Sequence, residues 1–370
     1  MSDRDDQGPL APKTAIPCVL DRIASMRSQE KTYRYRDVFA SDPDWSDPPG
    51  DEDMQESDQA LEPGPGPAIR AAASPPPKPI DAACRVKMAE WCTQVIDFCG
   101  FSRETVGIGL CYLDRYVASG NKRARRAMGN RKEYQLAAMT GLYMAIKLHE
   151  PLEMELKHVA EISRGCYSSA DIASMELEML QALDWRLTAP TPLAFVEHLL
   201  AIGVNEVEAA SPSSAVAEAV RDALLDFSRF QTELVNGLPA LMSEMPSRIA
   251  VAVLLNSLDA IDSTVFLPGQ RTALLSAVRY ASGVDPGSAD LRPVRDLLME
   301  SFDKNAGVDF GEVAARIRSC EQGGKRVGGT QATESSSSSP SSSGAGADLS
   351  ARISPVCIGD PSGMKKQKRL

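Results

Sequence analysis

From about residue 81 to residue 301 the apolar positions recur every three or four residues, and no run of alternating β-branched residues interrupts them. That periodicity is the signature of amphipathic helices, so the expected fold class is all-α. The pattern breaks at residues 100–102, 119–130, 150–151, 165–168 and 187–192, which leaves room for five helices between Asp81 and Leu187. Further breaks at residues 211–212, 239–246, 263–270 and 283–287 delimit five more, and the core reads as two five-helix units in tandem, residues 81–189 and 190–302.

Start signals agree with this division. Ser102-Arg-Glu-Thr and Ser168-Ser-Ala-Asp each place a hydroxyl or carboxylate where it caps an exposed amide, and Pro246 beside Ser247 marks another helix start. The third expected helix, residues 133–148, is apolar nearly all round and carries Ala137, Ala138, Gly141 and Ala145, so it belongs at the centre of a bundle.

The flanks differ in kind. Residues 42–62 hold nine acids and no base and run on into a proline-rich stretch, a composition that buries too little apolar surface to offset chain entropy. Residues 1–80 therefore read as mostly disordered, with one short amphipathic helix near residues 20–39 docked on the main domain. Residues 303–370 are dominated by serine and glycine and end in the basic cluster Lys-Lys-Gln-Lys-Arg at 365–369.

Charge and cysteine content narrow the function classes. Forty lysines and arginines against fifty acids give a net charge of −10, which argues against a nucleic-acid-binding role. No apolar run is long enough to span a bilayer and the start lacks a secretory layout, so a soluble intracellular protein without membrane contact is expected. The eight cysteines form no C-x-x-C pair and read as reduced, mostly buried thiols, with no metal site and no cofactor.

Five motifs, in order on these helices, resemble the cyclin family. In CRVKMAEW, Arg85 and Trp91 match the family's arginine followed six residues later by tryptophan, and CYLDRYVAS places Asp114 at the family's aspartate. Gln135-Leu136 and LYMAIKLHE match its glutamine-leucine and its alanine-x-lysine-x-x-glutamate, and MELEMLQALDWRLTAPTP puts Glu176 at its kinase-facing glutamate. MPSRIAVAVLL resembles a second-unit helix of gap-phase cyclins, as KLHEPL and ALDWRL also suggest.

The resemblance implies a regulatory subunit that activates a cyclin-dependent protein kinase in the nucleus and cytoplasm. Lys147 and Glu176, with Glu150 as a third, are implied as kinase-binding; Arg85 and Asp114 as a buried pair; and Leu136 and Trp91 as structural. Without the resemblance, Lys147 reads as a lysine whose stem packs on the core while its head reaches water. The family's exposed docking patch for substrates or inhibitors maps to Cys84, Lys87, Met88, Trp91, Gln94 and Gln135, with the alternative that Met88 and Trp91 simply pack.

The chain itself has no Gly-rich phosphate loop, H-R-D or D-F-G, so no catalytic residue is assigned. The alternatives are a cyclin-fold scaffold that activates no kinase and a transcription-associated adaptor. Residues 119–132, dense in lysine and arginine, read as a solvated loop or as a specificity or phosphate-recognition element. The terminal basic cluster reads as an import signal, and Ser74, Ser339 and Ser354 as proline-directed phosphorylation sites.

Overall fold

The computed structural model describes residues 16–39, 80–210 and 214–305, and the described residues are helical, with turns and no strand. In the first unit, α2 (Ala82–Cys99) starts where the Asp81 carboxylate accepts the Cys84 N–H at 2.8 Å and stops at Gly100, whose φ of 69° favours a residue without a Cβ. Helices α3 (Glu104–Ala118), α5 (Arg131–His149), α6 (Leu156–Ile162) and α7 (Ser169–Ala182) follow at the expected places. Ser168 and Asp171 form a reciprocal capping box on α7.

One element departs from expectation. The basic stretch after α3 is a helix, α4 (Lys122–Gly129), and not a loop. Asn121 caps it by accepting the Ala124 N–H at 2.7 Å, and Ala124 and Ala127 are fully buried. The charged residues masked this two-alanine face, which is too short to register as periodicity. The first unit thus has six helices where five were expected.

Among its described residues the second unit has α8 (Pro192–Ala210), α9 (Ser214–Leu234), α10 (Pro246–Asp259), α11 (Pro268–Ser282) and α12 (Arg292–Asn305), with three short 3-10 helices between them. Pro246 and Pro268 open α10 and α11, where a missing N–H costs nothing. The N-terminal helix α1 (Ile16–Thr32) lies earlier than expected and docks on this second unit, with Ile23 and Met26 in its core. The chain then crosses back, and Val38 and Phe39 pack against the first core.

Each unit encloses its own core, and the first is built round α5, which is buried at every position from Tyr134 to Ile146. Glycines set the α3–α5 spacing: a Cβ on Gly141 would sit 2.8 Å from the Gly109 carbonyl oxygen, and one on Gly109 would sit 2.9 Å from the Leu142 Cα. Of the six described cysteines only Cys84 and Cys92 are buried, while Cys18 and Cys166 are exposed, so the thiols are less hidden than expected. Burial pushes the Cys92 thiol up to about 12. Cys320, Cys357, Ser74, Ser339, Ser354 and the 365–369 cluster lie outside the described residues.

Gly141→Ala tests the helix spacing. Glycine to alanine in a helix normally gains up to about 1 kcal/mol; here the clash is with backbone, and a net loss of about 1–3 kcal/mol is expected from the midpoint of urea unfolding.

Candidate functional site

Two ion pairs of opposite character organise the molecule. Arg85 on α2 and Asp114 on α3 form a bidentate pair, Nε to Oδ1 at 2.9 Å and Nη2 to Oδ2 at 2.7 Å, with both side chains almost fully buried. The remaining Arg85 nitrogen, Nη1, donates to the Asn236 carbonyl at 2.9 Å, in the turn that follows α9 in the second unit. Burial works against the Arg85 charge, but Asp114 more than offsets it and the guanidinium is held above its ordinary pKa.

Asp114 is shared in turn. The Tyr35 hydroxyl donates to Asp114 Oδ2 at 3.2 Å and to the Met242 carbonyl at 2.5 Å. Burial, and then the Asp114 charge, push the Tyr35 phenol well above its ordinary value, so it keeps its proton and acts as a donor. Arg85, Asp114, Tyr35 and Asn236 line a cavity of about 170 Å³ between the units, so at this joint polar links bridge a space that side chains do not fill.

The N-terminal segment reinforces the joint. Glu30, buried on α1, accepts the Ser247 N–H at 2.9 Å and the Ser247 hydroxyl at 2.7 Å, capping α10 from another element. The Tyr33 ring lies 4.5 Å from the Arg115 guanidinium, and Arg115 donates to the Arg186 carbonyl in the inter-unit linker. Sequence reasoning did not single out Glu30, Tyr35, Asn236 or Met242. The only available signal was the pair of tyrosines among charges, since the other partners are backbone carbonyls and a common acidic residue.

The second pair lies at the surface. Lys147 Nζ, on the last turn of α5, sits 2.5 Å from Glu176 Oε1 on α7, with Lys147 44% and Glu176 16% exposed. The hydrogen bond to Glu176 holds the Lys147 ammonium above its ordinary pKa, and the ammonium lies 5.2 Å from the Tyr143 ring. Leu148 and Leu177, their neighbours in sequence, are about half exposed, and Leu152 beyond α5 is more so. The exposed pair thus has an open leucine next to each member in sequence, Leu148 beside Lys147 and Leu177 beside Glu176.

Glu150 turns the other way. Its Oε1 accepts the Ser102 N–H at 3.1 Å and the Thr105 hydroxyl, capping the start of α3, so its carboxylate is engaged within the unit. Leu136 is in the first core, as expected. The docking patch is corrected: Met88, Trp91 and Gln135 are all at least nine-tenths buried, and of the set that includes Cys84 only Lys87 and Gln94 are exposed. Helix α2 turns Met88 and Trp91 into the core, and Tyr167 covers Gln135 from the far side of the bundle. Among the described residues no cluster of three or more histidine, cysteine or acidic side chains is set to hold a metal, and no helix is long and apolar enough to cross a membrane.

Residues 72–188 match the family model for the cyclin N-terminal domain. That match, over about a third of the chain, places a cyclin N-terminal domain in the first unit. Among curated cyclins the chain is 32% identical over 137 residues to G2/mitotic-specific cyclin-2 of Antirrhinum majus, covering 37% of this chain and 28% of that one. It is 32% identical over 120 residues to Cyclin-D1-2 of Oryza sativa subsp. japonica, covering 32% of each, and 31% identical over 120 residues to G1/S-specific cyclin-E1 of Mus musculus, covering 32% and 27%. The chain thus spans about three-tenths of the length of these relatives. A viral cyclin from herpesvirus saimiri superposes with a TM-score of 0.45 at 16% identity, over 62% of this chain and 90% of that one.

Arg85→Ala leaves Asp114 buried and unpaired, and a loss of about 3–5 kcal/mol is expected in chemical denaturation. Tyr35→Phe removes one hydroxyl and keeps the ring, with an expected loss of about 1 kcal/mol. Equal losses from the two would show that Arg85 is not the centre of the joint.

Proposed function

We propose that this chain is a cyclin that binds and activates a cyclin-dependent serine/threonine kinase, and that the kinase sits over the Lys147–Glu176 pair. The observation that carries the reading is the pair itself. An exposed pair of this kind contributes about 0–1 kcal/mol to stability, too little to account for a lysine fixed at 2.5 Å from a glutamate beside open leucines. A partner helix laid across the pair would find one charge of each sign.

The consequence for the kinase follows from phosphoryl-transfer chemistry. A protein kinase needs its strand lysine paired with the glutamate of its mobile helix before the ATP phosphates are positioned. A rigid surface that holds that helix inward raises the population of the competent state, and α5, buried along nearly its whole length, is such a surface. The reaction belongs to the partner, and the cyclin acts as a regulatory subunit.

The finer assignments belong to the same proposal. A gap-phase role rests on KLHEPL, ALDWRL and MPSRIA, while the relatives named above include mitotic, D-type and E-type cyclins. Placement in nucleus and cytoplasm rests on the need of such a kinase for a nuclear regulator. Glu150 is a supporting residue here, acting through the α3 cap and not by direct contact.

Co-purification with cyclin-dependent kinases, followed by assay on histone, tests the reading. Wild type should retain an active kinase, and Lys147→Ala/Glu176→Ala should lose more than about tenfold of that activity with helix content unchanged in circular dichroism. An active kinase retained equally by both proteins would overturn the assignment of the pair.

A further inference from the structure

Helix α4 carries lysine or arginine at four of its eight residues and no acid, in a chain of net charge −10. Its inner face is Ala124 and Ala127, and Arg123 turns back to Glu133 at 3.5 Å and to the Ser174 hydroxyl at 3.1 Å. The other three cations, Lys122, Arg125 and Arg126, stand at i, i+3 and i+4, so they share one outward face. All three are exposed and make no ion pair among the described residues, and the same holds for Lys132 in the first turn of α5. Like charges at this spacing repel, so the helix holds the cluster against a cost that an anionic occupant would remove.

We propose that this face is the docking surface for the acidic segment of the same chain, residues 42–62. Charge complementarity is the first argument: the segment has nine acids and no base. The second is the tether. Ile80, the first described residue after the segment, is buried and its N–H donates to the Met128 carbonyl at 3.1 Å, on the last turn of α4 itself. On the other side Phe39 packs against the first core, so the described residues that flank 40–79 both belong to the unit that carries α4.

The eighteen residues from Glu62 to Ile80 reach roughly 60 Å when extended, so length does not prevent contact. A tether of this kind gives an effective concentration on the order of millimolar, enough for a weak charged contact that would be negligible between separate molecules. The surface then selects acidic chains. This inference does not depend on kinase binding.

Zero-length carbodiimide coupling of lysine amines to carboxylates in the full chain, mapped by mass spectrometry on mixed isotope-labelled and unlabelled protein, tests it. Links from Lys122 and Lys132 to acids of residues 42–62 within one chain are expected. Their yield should fall at least about fivefold in 1 M salt, where the screening length is roughly 3 Å, and by a similar factor in Arg125→Glu/Arg126→Glu. Those two side chains are exposed, so circular dichroism should show the variant folded. Absence of such links, links only between different chains, or a yield unchanged by salt and by the charge reversal would each overturn the proposal.

Discussion

Taking an arginine and an aspartate out of water costs several kcal/mol per ion, and only near-perfect geometry with every remaining hydrogen bond satisfied recovers it. Arg85 and Asp114 meet that demand by drawing on three separate parts of the chain. The first unit supplies the pair, the second supplies the Asn236 carbonyl, and the N-terminal segment supplies the Tyr35 hydroxyl, itself anchored on the Met242 carbonyl. Desolvated charge that needs all three is a constraint on their relative position. An apolar contact of equal area would tolerate sliding, whereas a bidentate pair with directional third partners does not.

The two ion pairs divide the work by burial. Arg85–Asp114 is sealed and fixes how the units meet; Lys147–Glu176 is open, adds little to folding and remains available. Helix α5 is close-packed against α3 through Gly109 and Gly141, so the lysine of the open pair stands on a tightly packed element and its glutamate on the neighbouring α7. The proposed kinase contact rests on this arrangement: close packing beneath, exposed charge and leucine above.

The main helices were legible because their cause is local. Apolar spacing, the Ser168 and Asp171 capping box and the prolines that open α10 and α11 can all be read one segment at a time. Helix α4 was not legible, because its buried face is two alanines and its visible face looks like a solvated loop. The docking patch was misjudged for a related reason: motif positions identify residues but not their facing, and Met88 and Trp91 turn inward. Lys147 and Glu176 lie twenty-nine residues apart, and only the family pattern joined them before the geometry did. The joint was the least legible part, since its key acceptors are backbone carbonyls that no side-chain code records.

Differential scanning calorimetry of wild type against Arg85→Leu/Asp114→Leu addresses the coupling of the units most directly. The double apolar variant removes the charges together, so the first core should survive while its link to the second unit is lost. Wild type should unfold in one transition with calorimetric and van't Hoff enthalpies equal, and the variant in two. Two transitions in wild type, or a single unchanged transition in the variant, would contradict the account in which this buried pair fixes one unit against the other.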